Sequence, residues 1–313
     1  MSLHTKYTIK EYATLVQQGL KDISENCCEE TPILDIITTG SPECMRYAMS
    51  KRRLAKQLSV GCNILNVDET LYGDSYHLED DFSFESPSII QLPFFTNPSD
   101  PKKDQELINK CIDPSVDVDG LTKNSKFVPA TALGIYHYLR NTTTDTNPVI
   151  VLIGRGKLVN APLKKLIEEN WPKATVVTTH TGTCTEQELH LLQQANIIVS
   201  AIPTQDTYIW NEYMRRCEED QDFLDEAYEN NQIIIDAGFI IDPETNKVSG
   251  NIPENVKEYL NTTFGCYVSP TIGGVGLLTT TFLLGNVIKY YYDKISTEDN
   301  LPFETVYNVI QAQ

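Results

Sequence analysis

Four short runs rich in β-branched residues, at 148–153, 175–180, 196–202 and 232–236, alternate with stretches of helical periodicity in the second half of this chain. No other feature narrows the fold as far. Neighbouring parallel strands need a crossover long enough to hold a helix, so such a series folds into βαβ units on a parallel sheet. The expected fold class is therefore α/β. The acidic stretch 211–230 fits one solvated helix of the series, with Tyr213, Met214, Phe223, Leu224 and Tyr228 as its inward side.

The first half is organised differently. Ile9, Tyr12, Leu15, Leu20 and Ile23 recur at helical spacing, which predicts an amphipathic helix over 7–23. A strand is expected over 33–37; Gly40, Ser41 and Pro42 then punctuate the chain and start a second helix over 43–58. The acidic, aromatic stretch 68–88 has no clear period and reads as irregular surface, and a buried strand follows over 88–92. A domain boundary is expected within 133–147, where the pattern changes and 141–147 is polar, and helices from Leu277 onward can return to the first domain.

At 313 residues the chain suits two domains or one large α/β unit. Its formal net charge of −18 excludes a sequence-independent nucleic-acid binder, which needs a basic surface, so any anionic ligand must be captured by local positive charge. The stretch 275–288 is apolar but interrupted by threonines and Gly285, and it reads as a buried helix rather than a membrane span. The N-terminal stretch 1–15 has the character of neither a secretory signal nor a transit peptide, and the eight cysteines form no C-x-x-C pair and no zinc-ligand spacing. The expectation is a cytoplasmic protein with reduced thiols, no bound metal and no membrane contact.

The run 148–153 leads directly into Gly154-Arg155-Gly156, and a helix is expected over 163–169. Strand, tight glycine turn and helix N-terminus together make an anion site, because free backbone N–H groups and the helix dipole both favour phosphate. A full dinucleotide fingerprint carries a third glycine where Val159 and Asn160 stand, so an ordinary strand-to-helix turn is the competing reading. The next strand ends in His180-Thr181-Gly182-Thr183, with no carboxylate to repel a 2′-phosphate. Arg155 and the Thr181 hydroxyl can receive one, which favours NADP over NAD. Further on, Gly273, Gly274 and Gly276 precede a helical run; they let a backbone approach a flat ring closely, or else make only a tight turn.

Tyr47 and Lys51 are four apart and share a helix face, within the basic cluster Arg46, Lys51, Arg52, Arg53 and Lys56. Spacing alone leaves Lys51 no different from a solvated lysine. Taken in order, however, Tyr47-x-x-x-Lys51, Gln91-Leu92-Pro93, the Asp-Val-Asp-Gly run 117–120, the stretch 129–134, the Gly154-Arg155 turn and the Gly-Gly-Val-Gly loop resemble the methylenetetrahydrofolate dehydrogenase/cyclohydrolase family over about residues 41–290. The resemblance implies two α/β domains with a cleft between them: a folate-side catalytic domain of 1–135 plus 280–313, and a Rossmann-type NAD(P)-binding domain of 136–279.

It implies that Lys51 is the catalytic lysine, that Tyr47 packs beside the folate ring, that Gln91 hydrogen-bonds near Lys51, and that Asp119 holds the pterin. Pro270, Gly273 and Gly274 join Tyr47, Gln91 and Asp119 in binding substrate. Gly154, Arg155, Gly156, His180, Thr181, Ile202, Pro203, Gly274, Gly276 and Thr279 are placed at the cofactor. The implied activity is oxidation of 5,10-methylenetetrahydrofolate with NADP, or alternatively NAD, and hydrolysis of the methenyl product to 10-formyltetrahydrofolate, in a homodimer. A dehydrogenase without hydrolysis and a non-catalytic folate- or nucleotide-binding relative are the alternatives. The chain departs from the family pattern at Cys44 (serine), Val116 (lysine), Gly156 (serine), Asn160 (glycine) and Pro203 (glycine), and alanines replace a cysteine and a proline within 129–132.

Overall fold

A computed structural model describes residues 5–38, 42–66, 86–91, 108–109, 112–202, 208–238, 240–241, 248–263, 265–296 and 301–308. The stretch expected to be irregular surface lies almost wholly outside them. The chain divides into two compact units, Met1–Tyr12 with Thr131–Leu278 and Ala13–Ala130 with Thr279–Gln313. The family resemblance implies a grouping of 1–135 with 280–313. Instead the first residues are tied into the unit of the second half: Lys6 N–H donates to Thr142 O at 3.1 Å, Tyr138 Oη to Tyr7 O at 3.0 Å, and Tyr12 meets Tyr138 edge-on at 5.7 Å. Nor is 141–147 a linker throughout, since Asn141 and Thr142 are buried in the last turn of a helix and bond back to the His137 and Tyr138 carbonyls.

The larger unit is built on a five-stranded parallel sheet. Helix α1 (Ile9–Asn26) begins at its N-terminal segment, and α3 (Ala130–Thr142) leads into it. Then follow β4 (Val149–Ile153), α4 (Asn160–Asn170), β5 (Thr175–Thr179), α5 (Thr185–Gln194), β6 (Ile197–Ser200), α6 (Tyr208–Glu219), α7 (Gln221–Glu229), β7 (Ile233–Asp236), α8 (Glu254–Thr263) and β10 (Tyr267–Val268). A small antiparallel pair, β8 (Ile240–Ile241) and β9 (Val248–Ser249), sits between β7 and α8.

The strand order is β5-β4-β6-β7-β10, so the sheet grows outward in both directions from β4. This is a doubly wound arrangement, whose strand order reverses at the carboxyl ends of β4 and β6. β4, β6 and β7 are almost entirely buried, as interior strands covered on both faces must be, whereas edge strand β5 is only half-buried. The core joins Val151, Ile198 and Ile234 of the sheet to Leu189, Trp210, Tyr213, Phe223 and Leu260 of the helices. The acidic stretch is two helices, not one. Asp220 ends α6 and caps α7, its carboxylate accepting from Phe223 N–H at 3.1 Å. That break turns Tyr228 outward, to 58% exposure, and gives the inward side to Ile209, Trp210, Tyr213, Cys217, Phe223 and Ala227. Met214 and Leu224 flank it, partly buried.

The smaller unit holds a three-stranded parallel sheet of order β2-β1-β3, from β1 (Ile33–Thr38), β2 (Gly61–Asn66) and β3 (Ser88–Gln91). Helix α2 (Pro42–Gln57) connects β1 to β2, and α9 (Val275–Tyr292) enters this unit at Thr279 and is followed by α10 (Leu301–Tyr307). Leu278, Phe282, Leu283, Leu284, Val287 and Ile288 are all buried along α9, and among the described residues no helix is long and apolar enough to cross a membrane.

Candidate functional site

The buried stripe of α2 runs Cys44, Ala48, Lys51, Ala55 and continues to Leu58 just past its end, in three- and four-residue steps that keep one face inward. Lys51 therefore belongs to the buried face while Lys56 lies on the exposed one. The Lys51 ammonium stands 5.8 Å from the centre of the half-buried Tyr47 ring, one turn earlier. Burial lowers its affinity for a proton, and the Asp119 carboxylate opposes that shift in part. Burial likewise pushes the Asp119 carboxyl up to about 6; the Lys51 charge holds it down, Asp117 raises it further, and the Ala130 backbone N–H bonds it.

Asp119 is placed by its neighbours. Fully buried Asp117 accepts from Gly120 N–H (3.0 Å), Thr122 N–H (2.7 Å) and Thr122 Oγ1 (2.7 Å), which closes the turn that carries Asp119. Asn286 of α9 donates to Val118 O at 2.9 Å and anchors the same segment. Val116, where the family pattern has a lysine, is simply buried. Lys51, Tyr47 and Asp119 are thus brought together. Gln91 ends β3 opposite Thr38, and its side chain is outside the described residues.

In the doubly wound unit, Gly154 follows β4 at φ +104°, and a Cβ there would lie 2.6 Å from the Ala201 carbonyl oxygen after β6. Only glycine fits, in conformation and in space. Its N–H donates to Thr179 O at 2.9 Å, so the ends of β4, β5 and β6 converge on this turn. Gly156 has open space around it, and with Arg155 it is exposed. Helix α4 starts at Asn160, three residues before the expected start. The buried Asn160 amide donates to Ile153 O (2.7 Å) and Gly154 O (3.0 Å), so the residue standing for the third glycine ties the turn to the helix. After β5, the His180 Nδ1 accepts from Gly182 N–H at 3.0 Å, which folds 180–183 back and leaves Thr181 exposed. The nearest acid in sequence, Glu186, is exposed and paired with Arg216, and the next, Glu188, is buried and accepts from Thr179 Oγ1.

Half-buried Ile202 is gripped at both backbone groups by Asn251, whose Oδ1 accepts from its N–H (3.0 Å) and whose Nδ2 donates to its carbonyl (2.9 Å). Pro203 is outside the described residues. Beyond β10, Pro270, Gly273 and Gly276 are exposed, Gly273 takes φ +78°, and Gly274 is buried against the Pro270 carbonyl. Thr279 is half-buried and lies past the unit boundary on α9. Sequence reasoning missed Asp236, Asn251, Lys257 and Asn286, which hold these loops from behind; their spacing carries no motif.

A turn of backbone N–H groups at the reversal point of a doubly wound parallel sheet defines a nucleotide-binding α/β protein. Residues 129–218 match the family model described as "Tetrahydrofolate dehydrogenase/cyclohydrolase, NAD(P)-binding domain". The chain is 27% identical over 298 residues to the bifunctional protein FolD of Staphylococcus carnosus, covering 89% of this chain and 94% of that one. Its fold is that of a 5,10-methylenetetrahydrofolate dehydrogenase from the silkworm Bombyx mori (TM-score 0.68, 20% identity, 92% of this chain and 97% of that one). It also matches the Trypanosoma brucei methylenetetrahydrofolate dehydrogenase-cyclohydrolase solved with NADP and an inhibitor (TM-score 0.68, 19% identity, 93% and 98% covered). The chain is thus similar over most of its length to methylenetetrahydrofolate dehydrogenases/cyclohydrolases, and over residues 129–218 it matches their NAD(P)-binding domain.

Proposed function

We propose that this protein oxidises 5,10-methylenetetrahydrofolate to the 5,10-methenyl form with NADP in preference to NAD, and hydrolyses that product to 10-formyltetrahydrofolate. The observation that carries the reading is the buried Lys51 amine beside Tyr47 and Asp119. A bound nicotinamide ring supplies the acceptor for the hydride that leaves the one-carbon bridge. The product is a cation, and burial shifts Lys51 toward the neutral form, which neither repels that cation nor lacks a lone pair. Lys51 can then take the proton of the water that adds to the methenyl carbon, after which the ring C–N bond opens to the formyl product. Asp119 offers an acceptor to the donor-rich pterin edge, and Tyr47 a face for its ring. The cofactor preference rests on the β5 end, where Thr181 and Arg155 are exposed, Glu186 is engaged by Arg216 and Glu188 is turned inward. The family resemblance adds a homodimer in the cytoplasm, which sedimentation of the purified protein checks for assembly.

The deciding experiment follows methenyl formation spectrophotometrically with each dinucleotide, and separately the decay of supplied methenyl substrate. Faster oxidation with NADP and measurable hydrolysis are expected. Oxidation without hydrolysis would reduce the protein to a dehydrogenase, and ligand-induced stabilisation without turnover would make it a binding relative. Lys51→Met should abolish hydrolysis, and circular dichroism checks that the variant remains folded. Unaltered hydrolysis would remove Lys51 from the chemistry.

A further inference from the structure

Asp236, at the end of β7, is a buried carboxylate with every lone pair engaged. Its Oδ1 accepts from Gly238 N–H (3.0 Å) and Asn251 N–H (2.9 Å), and its Oδ2 from Ile252 N–H (3.2 Å) and the Lys257 ammonium (2.9 Å). Its own N–H donates to Ser269 Oγ at 2.8 Å, at the head of the 269–276 loop. Lys257, buried on α8, does not stop at this ion pair. It also donates to Thr271 Oγ1, and it lies 3.3 Å from Glu254, to which Thr271 itself donates at 3.1 Å. All three ammonium protons are thus directed, one of them into the loop.

A buried ion pair by itself is weak evidence of net stability, because desolvation offsets the attraction. What this one achieves is geometric. The loop beyond Thr271 turns sharply at Gly273, and its tip presents Ile272 with 81% of its surface exposed. One exposed apolar side chain is ordinary on a protein surface; what distinguishes this one is that its loop is pinned from behind.

We propose that Lys257 is a positioning residue: anchored on Asp236, it fixes Thr271 so that Ile272 and Gly273 are held ready against a planar heteroaromatic ring, the nicotinamide of the reaction proposed above. The inference rests on that reading for its ligand, and on the hydrogen bonds for its mechanism. Lys257→Met leaves Asp236 buried without its cation and lowers stability, so the test is made at the loop end. Thr271→Val removes the hydroxyl and keeps the ion pair, while Thr271→Ser keeps both.

Hydrogen–deuterium exchange of the ligand-free protein is expected to speed up about tenfold at 272–274 in Thr271→Val and to stay at the wild-type rate in Thr271→Ser. In the dehydrogenase assay, Thr271→Val should lower kcat about tenfold with KM for the dinucleotide within about twofold, and serine should restore it. Unchanged exchange in the valine variant, or a wild-type kcat, overturns the proposal. If the wild-type protein shows no turnover, the proposed function fails, and the exchange measurement alone decides the tether.

Discussion

At the scale of single residues, the pair formed by Lys51 and Asp119 sets the expected pH behaviour. In the proposed role, Asp119 must be ionised to accept from a pterin, and its carboxyl is pushed up to about 6. Dehydrogenase kcat/KM should therefore rise with pH through a limb centred near that value. Asp119→Asn should lack the limb and lose about ten- to a hundredfold at pH 7.5, the usual range for a hydrogen bond to a charged group. A profile of the variant with the limb intact would assign it elsewhere. The stability sign is opposite in kind: the folded state binds this proton more tightly than the unfolded chain, so Asp119 contributes a loss of stability as pH rises from about 4 to about 6. Spacing alone leaves Lys51 no different from a solvated lysine, and it is legible only through the family resemblance; burial supplies the stripe Cys44, Ala48, Lys51, Ala55, Leu58 that separates it from Lys56. Asp236, Asn251 and Lys257 are not legible, because they meet only when parallel strands bring distant loop ends together, and no local spacing encodes that meeting.

Among elements, the β4–α4 turn divides its two glycines by task. Gly154→Ala should cost about 2 kcal/mol or more, from the left-handed backbone and from the clash with the Ala201 carbonyl. Gly156→Ala should stay within about 0.5 kcal/mol, as an exposed substitution into open space does. Chemical denaturation of both variants checks the contrast, and equal losses would contradict it. The same turn shows what sequence pattern can reach. Strands expected at 148–153, 175–180, 196–202 and 232–236 appear at Val149–Ile153, Thr175–Thr179, Ile197–Ser200 and Ile233–Asp236, since continuous β-branched runs between helices admit little else. Strand β2 escaped, being mixed in polarity with Cys62, Asn63 and Asn66, and so did the two-residue β10; both are defined by their partners more than by their own residues. The single helix drawn over 211–230 failed because one hydrophobic period was extended through Asp220, a capping residue.

For the whole molecule, a net charge of −18 opposes the approach of any phosphorylated ligand. Raising ionic strength from about 0.01 M to about 0.15 M shortens the screening length from about 30 Å to about 8 Å. The association rate of NADP, followed by stopped-flow fluorescence, should therefore increase over that range. A decrease would mean that the attraction of Arg155 outweighs the rest of the chain. The division into units has a further consequence, for synthesis. Met1–Tyr12 joins a unit completed only at Leu278, and Ala13–Ala130 one completed by Thr279–Gln313. Neither unit can close while the ribosome is still translating its middle. Tyr7 must wait for Tyr138, 131 residues further along, and a restraint on residues 5–12 would be felt in the unit that holds that partner rather than in the one that follows them along the chain.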